Sequence, residues 1–178
     1  IYTRLANPTS NVLEERIAHL EGGVAGIATA SGQSAIFYAL ANVAEAGDNI
    51  LISNKLYGGS ITLTTYTMKR FGITAKVFNV DNPESIEALV DDKTKAIFFE
   101  SISNPQITIA DVDGIVEIAK KHKILTICDN TVASPALFNP ISHGVDIVVH
   151  SASKYISGQG LAIGGVIVER DGLTDFFK

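Results

Sequence analysis

Lys154 has the most chemistry open to it. It closes the stretch Ser151-Ala152-Ser153-Lys154, whose small hydroxylated residues are unlike the neighbours of a solvated lysine. Partial burial of such an amine lowers its pKa, and the neutral form is a nucleophile that makes Schiff bases. An ordinary surface-loop lysine is the competing reading. Asp129 ends the apolar run Ile124-Leu125-Thr126-Ile127-Cys128. A carboxylate at the tip of a central strand is poorly solvated. It stays ionised only beside a cation or several donors, and a protonated ring nitrogen is one such cation. With Asn130 and Thr131 following, a plain turn or helix cap fits equally well. Ser31-Gly32-Gln33 stands between a predicted strand and a predicted helix. Unpaired amides at a helix N-terminus and the positive end of its dipole suit a phosphate, and Gly32 lets the backbone come close. A serine cap with a turn glycine also accounts for these residues.

The elements that must position these groups alternate along the chain. Apolar runs predict strands at Gly26–Ala30, Asn49–Ser53, Thr74–Phe78, Lys95–Glu100, Ile124–Cys128, Asp146–Val149 and Ile163–Val168. Between them lie helical stretches. One is capped by Thr9 or Ser10 and stopped by Gly22-Gly23; others cover Ser34–Ala44, Ser60–Phe71, Pro83–Leu89 and Asp111–His122. The strands are continuous apolar runs without alternation, as expected when both faces are buried. A doubly wound, mostly parallel seven-stranded sheet flanked by helices follows. Ligands of such sheets bind at the carboxyl ends of the strands. The residues that leave those ends are Ser31-Gly32-Gln33, Tyr57-Gly58-Gly59, Glu100 to Asn104, Asp129-Asn130-Thr131 and His150 to Lys154.

Composition removes several function classes. A net charge of −5 over 178 residues gives no basic field for nucleic acid or an anionic membrane. One cysteine makes neither an internal disulfide nor a Cys-rich zinc site, and Cys128 reads as a core thiol. Four scattered histidines lack metal-ligand spacing, so no metal is expected. No apolar run is long enough to span a membrane, and no signal peptide opens the chain, so a cytoplasmic protein is expected. Ser151-x-x-Lys154 also matches a serine acyl-transfer pattern. The Lys-Thr-Gly partner is missing, however, and Ser151 follows a strand where that pattern starts a helix. Gly158-x-Gly160 lacks the spacing of a dinucleotide loop and precedes a strand.

Taken together, the motifs resemble the pyridoxal-phosphate (PLP) enzymes of cysteine and methionine metabolism. The resemblance runs from Tyr2-Thr3-Arg4-Leu5-Ala6-Asn7-Pro8-Thr9 through Leu20-Glu21-Gly22-Gly23 to Ser151-Ala152-Ser153-Lys154-Tyr155, with the family's order and spacings. Arg4 to Thr9 and Ala30-Ser31-Gly32-Gln33 look most like the O-acetylhomoserine sulfhydrylase branch. The synthases and lyases more often carry Ser-Gly before Asn-Pro and Met or Thr in place of Gln33.

The resemblance implies that Lys154 holds pyridoxal 5′-phosphate and moves protons on the substrate, while Asp129 pairs with the ring nitrogen. Tyr57 would stack on the ring and help with proton transfer, and Asn104 would bond near its 3-oxygen with Glu100 close by. Gly32 and Gln33 would give backbone amides to the phosphate, with Ser31 beside them and hydroxyls from Ser151 and Ser153. Tyr2 and Arg4 would reach the phosphate of a neighbouring subunit's cofactor, which implies a homo-oligomer with shared sites. The reaction implied is γ-replacement, O-acetyl-L-homoserine plus sulfide giving L-homocysteine plus acetate. A cystathionine or methionine γ-lyase or a cystathionine γ-synthase of the same family is the alternative, and a non-catalytic phosphate-binding module a distant third. The expected unit over 1–178 is the large cofactor domain, cut before the family's small C-terminal domain and after its leading segment.

Overall fold

Pro8 decides where the first helix begins. Its ring presets a helical φ and it has no N–H to leave unpaired, so it suits the first helical position, and the residue before it becomes the cap. Asn7 takes that role, its side chain accepting from Thr9 N at 2.9 Å and Ser10 N at 3.4 Å. The cap expected at Thr9 or Ser10 thus falls earlier, and helix α1 runs over Pro8–Glu21. It ends at Gly22, whose φ of 76° is the left-handed conformation that glycine adopts without strain. The computed structural model describes residues 2–3 and 5–173.

Beyond α1 come β1 (Ala25–Thr29), α2 (Gly32–Val43) and β2 (Asn49–Ser53). The helix expected over Ser60–Phe71 is instead α3 (Gly58–Thr62), a π-helical turn (Leu63–Thr67) and α4 (Met68–Arg70). Thr64 and Thr65 hydroxyls donate to the Ser60 and Ile61 carbonyls at 2.8 and 2.7 Å, a back-bonding that loosens regular α-helical pairing. Strand β3 (Thr74–Phe78) precedes a short 3-10 turn (Pro83–Ile86), where the sequence predicted a helix reaching Leu89. Then follow β4 (Thr94–Glu100), α5 (Val112–His122), β5 (Leu125–Asp129), α6 (Ser134–Leu137), β6 (Ile147–Ser151) and β7 (Gly165–Glu169).

The seven strands form one sheet in the order β1-β7-β6-β5-β4-β2-β3. Strand β7 pairs antiparallel with both β1 and β6, and the remaining pairs are parallel. The carboxyl ends of β1, β2, β4, β5 and β6 therefore share one rim. Central strands β2, β4, β6 and β7 are almost wholly buried, while edge strand β3 exposes Thr74 and Val77. Side chains alternate faces along each strand. Leu51, Ile97, Phe99, Cys128 and Val148 pack with α1 and α5. On the other face, Ile50, Ile52, Phe98, Ile127 and Val149 pack with α2 and Met68. Among the described residues no helix is long and apolar enough to cross a membrane.

Candidate active site

The start of α2 meets the end of β6. Ser31 caps α2, its Oγ accepting from Ser34 N at 3.1 Å. A Cβ built on Gly32 would come within 2.6 Å of Ser151 Cβ, so only glycine lets this helix start lie against Ser151. Gly165, the first residue of β7, is similarly forced: a Cβ there would meet Ser31 O at 2.2 Å. These close approaches leave the amides of a 12-residue helix facing a serine, on a dipole that favours an anion. The Gln33 side chain turns toward α3, where its Nε2 lies 3.3 Å from a Cβ built on Gly59. The half-exposed Tyr57 ring covers the same spot, with Cε1 2.7 Å from that position.

Two carboxylates stand side by side at the strand ends, since Glu100 and Asp129 are register partners on β4 and β5. Glu100 accepts from Tyr57 N at 2.7 Å on one oxygen and from Asn104 N at 3.0 Å on the other. It thereby clamps the two loops that carry Tyr57 and Asn104. Burial, with the Asp129 charge beside it, pushes the Glu100 carboxyl up to about 7 despite these bonds. Asp129 is part-exposed at its tip, yet protein encloses it enough that burial raises its carboxyl too. Both of its hydrogen bonds, from Thr131 N at 2.9 Å and Thr131 Oγ1 at 2.5 Å, fall on Oδ1. Oδ2 receives none from the described residues. The Thr131 hydroxyl also accepts from Ser151 N at 2.8 Å, which ties Asp129 to the end of β6.

Lys154 departs from the expectation of partial burial. After β6 the chain turns through small residues, with Lys154 N donating to Ser151 O at 3.1 Å and Gly158 N to Lys154 O at 2.8 Å. Lys154 is exposed. Ser153 faces the following strand, its Oγ accepting from Gly164 N at 3.0 Å. Asn104 is exposed on its loop. Ser31, Gly32, Gln33, Tyr57, Asn104, Asp129 and Ser151 are thus joined around one rim, with Ser153 and Lys154 on the loop beside it. Tyr2 lies in the exposed N-terminal segment, and Arg4 is outside the described residues.

A second polar group under this rim escaped the sequence reading. Glu21, Asn130 and His150 are fully buried and hydrogen-bonded to one another, with Glu21 Oε1 at the centre. Two signals were present: a histidine that continues the apolar run of β6, and a glutamate at the end of a helix. Neither suggests a partner more than a hundred residues away.

Comparison with known proteins bears on this arrangement. The family model described as Cys/Met metabolism PLP-dependent enzyme matches residues 1–176. The chain is 47% identical over 169 residues to an O-acetyl-L-homoserine sulfhydrylase of Leptospira meyeri, covering 95% of this chain and 38% of that protein. It is 49% identical over 170 residues to a homocysteine/cysteine synthase of Saccharomyces cerevisiae, with the same coverage. It also superimposes on a crystal structure from Campylobacter jejuni, provisionally described as an O-acetylhomoserine (thiol)-lyase and containing N′-pyridoxyl-lysine-5′-monophosphate. The TM-score is 0.96 at 59% identity, covering 100% of this chain and 44% of that one. The chain spans less than half the length of these relatives.

Proposed function

The chain belongs to the Cys/Met metabolism PLP-dependent enzymes, and from that premise we propose that it forms the cofactor-holding domain of a sulfhydrylase that converts O-acetyl-L-homoserine and sulfide into L-homocysteine and acetate. The observation that carries the reading is the Asp129 carboxylate. It is raised by burial, open at one side, and has an oxygen that no described residue bonds, across the rim from a glycine cradle of helix amides. A protonated pyridine nitrogen satisfies the first and a phosphate the second. These donors and acceptors fit pyridoxal 5′-phosphate, which when bound supplies an electron sink for charge at the substrate's α carbon.

The chain's own residues do the rest. Asp129 keeps the ring nitrogen protonated. Lys154 Nζ would hold the cofactor's aldehyde carbon and would carry protons at the substrate's α and β carbons. The Tyr57 ring would cover the cofactor and help move protons. Asn104 bonds near the 3-oxygen, and its position is set by the Glu100 clamp. The amides of Gly32 and Gln33 bind the phosphate, with Ser31, Ser151 and Ser153 around it. In the net reaction the γ carbon exchanges its bond to the acetate oxygen for one to sulfur. Tyr2 and Arg4 serve the phosphate of a neighbouring subunit, so the active assembly is a homo-oligomer, and the substrate carboxylate is held by a C-terminal small domain. We place this enzyme in the cytoplasm.

The reading is tested by absorbance of the full chain with added cofactor. A band near roughly 420 nm that borohydride abolishes is expected for a lysine-held aldehyde. A protein that stays colourless overturns the proposal. Homocysteine formed only with sulfide supports the sulfhydrylase. Release of 2-oxobutyrate from methionine without sulfide makes the chain a γ-lyase instead.

A further inference from the structure

A buried histidine–glutamate pair lies across the sheet from Asp129, and nothing in the chemistry above uses it. Asp129 pairs in register with Val149, so Asn130 stands beside His150. Alternation then sends Asp129 toward the α2 side with Ile127 and Val149, and Asn130 and His150 toward the α1 side with Cys128 and Val148. On the α1 side waits Glu21, the last residue of α1. His150 Nε2 lies 2.5 Å from Glu21 Oε1, and Asn130 Nδ2 donates to the same oxygen at 2.9 Å. The Asn130 amide group also donates to the Phe138 carbonyl at 2.8 Å, and its Oδ1 accepts from Ser101 Oγ at 2.8 Å. Every polar group of the Asn130 side chain is engaged. Its backbone amide donates to Val149 O, and Ser101 N donates to Asp129 O, both at 3.0 Å. Asp129 is therefore gripped through the residue that follows it.

Stability is a poor reason for this pair. Glu21 Oε2 and His150 Nδ1 are buried with no hydrogen-bond partner. Such incomplete pairing costs free energy that an apolar replacement avoids. Its effect on Asp129 is favourable, because a positive charge on His150 opposes the burial that lifts the Asp129 carboxyl. The titratable groups around Asp129 are Glu100 on β4, Cys128 on its own strand, His150 on β6 and, beyond that, Glu21 on α1. Of these, His150 alone is of a type that can carry a positive charge.

We propose that Glu21 and His150 are positioning residues for Asp129, acting from the opposite face of the sheet. They anchor Asn130 and set a charge behind the Asp129 carboxylate that meets the cofactor's ring nitrogen. The inference rests on the PLP reading above. Its test uses the full chain carrying Glu21→Gln, His150→Gln or both. Cofactor dissociation and the pH midpoint of the bound chromophore are measured alongside the melting temperature of the cofactor-free protein. Each single variant is expected to weaken cofactor binding roughly tenfold and to shift the midpoint, as loss of an orienting outer partner does. The double variant is expected to be no worse than the weaker single, because the pair acts as a unit. Variants that melt lower but keep the wild-type dissociation constant and midpoint overturn the proposal. Should both singles fail to fold, the nitrogen-15 resonances of His150 in the wild-type chain decide it: they shift on cofactor loading, and unchanged resonances overturn it. A wild-type chain that binds no cofactor removes the enzyme reading and this inference together. Normal wild-type binding with unaltered variants removes this inference alone.

Discussion

At the amino-terminal rim of the sheet, Asp146 accepts from Thr126 N and Thr126 Oγ1, both at 2.8 Å, on one oxygen and from Arg170 Nε at 2.6 Å on the other. At the opposite rim, Asp129 takes both of its bonds on a single oxygen. The contrast extends to the neighbours. Near the first rim, Lys76 at 2.6 Å, with Asn49 at 2.8 Å, holds Asp91 well below the usual carboxylate range. At the second rim burial lifts both Glu100 and Asp129. One end of the sheet is therefore closed by carboxylates whose cations and donors come from the chain. The other keeps carboxylates in a desolvating setting with bonding capacity to spare. Local free energy is spent at that end, and functional sites are where such conflict is found.

Substitutions at the two ends should separate stability from chemistry. Asp129→Ala is expected to lower turnover of the full chain by roughly a thousandfold, as loss of a preorganised charge does. The melting temperature of the cofactor-free protein should stay near wild type. Near-normal turnover would break the contrast. Asp146→Ala should do the reverse. It orphans the buried Thr126 amide and removes the partner of Arg170 Nε, and it is expected to cost about 2 kcal/mol in urea unfolding, with the cofactor spectrum unchanged. A spectral change would mean that the two rims are coupled.

Gly32→Ala probes how tightly the cradle is built. Its new Cβ must push against Ser151 at 2.6 Å. A loss of about 1–2 kcal/mol in unfolding and weaker cofactor binding are expected, and isothermal titration would read the latter. The smallest effect concerns pH. Glu100 binds its proton more tightly folded than unfolded, since its pKa rises from 4.5 to about 7. The stability that this proton contributes is complete below about 4.5 and is lost as pH rises through about 7. Glu100→Gln should therefore shrink the fall in urea midpoint between acid and neutral pH. An unchanged slope would assign the fall to Asp129 and Glu169, whose carboxyls burial also raises.

Much of this frame was legible in the residues. The bounds read for β2 and β3 coincide with those found, because Asn49–Ser53 and Thr74–Phe78 are flanked by turn-forming residues that leave no choice of end. The cap at Ser31 and the stop at Gly22 were also visible, being local. Local rules failed where two of them compete. Pro8 moved the cap of α1 to Asn7, and threonine hydroxyls accompany a π-helical turn inside the helical segment expected over Ser60–Phe71. The burial of Lys154 was misjudged because small neighbours say nothing about what packs above them.

Residue order by itself determined the strand and helix succession, the parallel character of the sheet, and which polar residues leave the strand ends. Each of these follows from apolar periodicity and turn chemistry over a few neighbouring positions. Tertiary structure alone decided that Glu21 meets His150 and Asn130, partners separated by 129 and 109 positions along the chain. It also decided that Glu100 holds the Tyr57 and Asn104 loops together, and that Asp129 keeps one oxygen open. Those contacts depend on strand order and on which face each side chain takes, and packing of the whole sheet sets both.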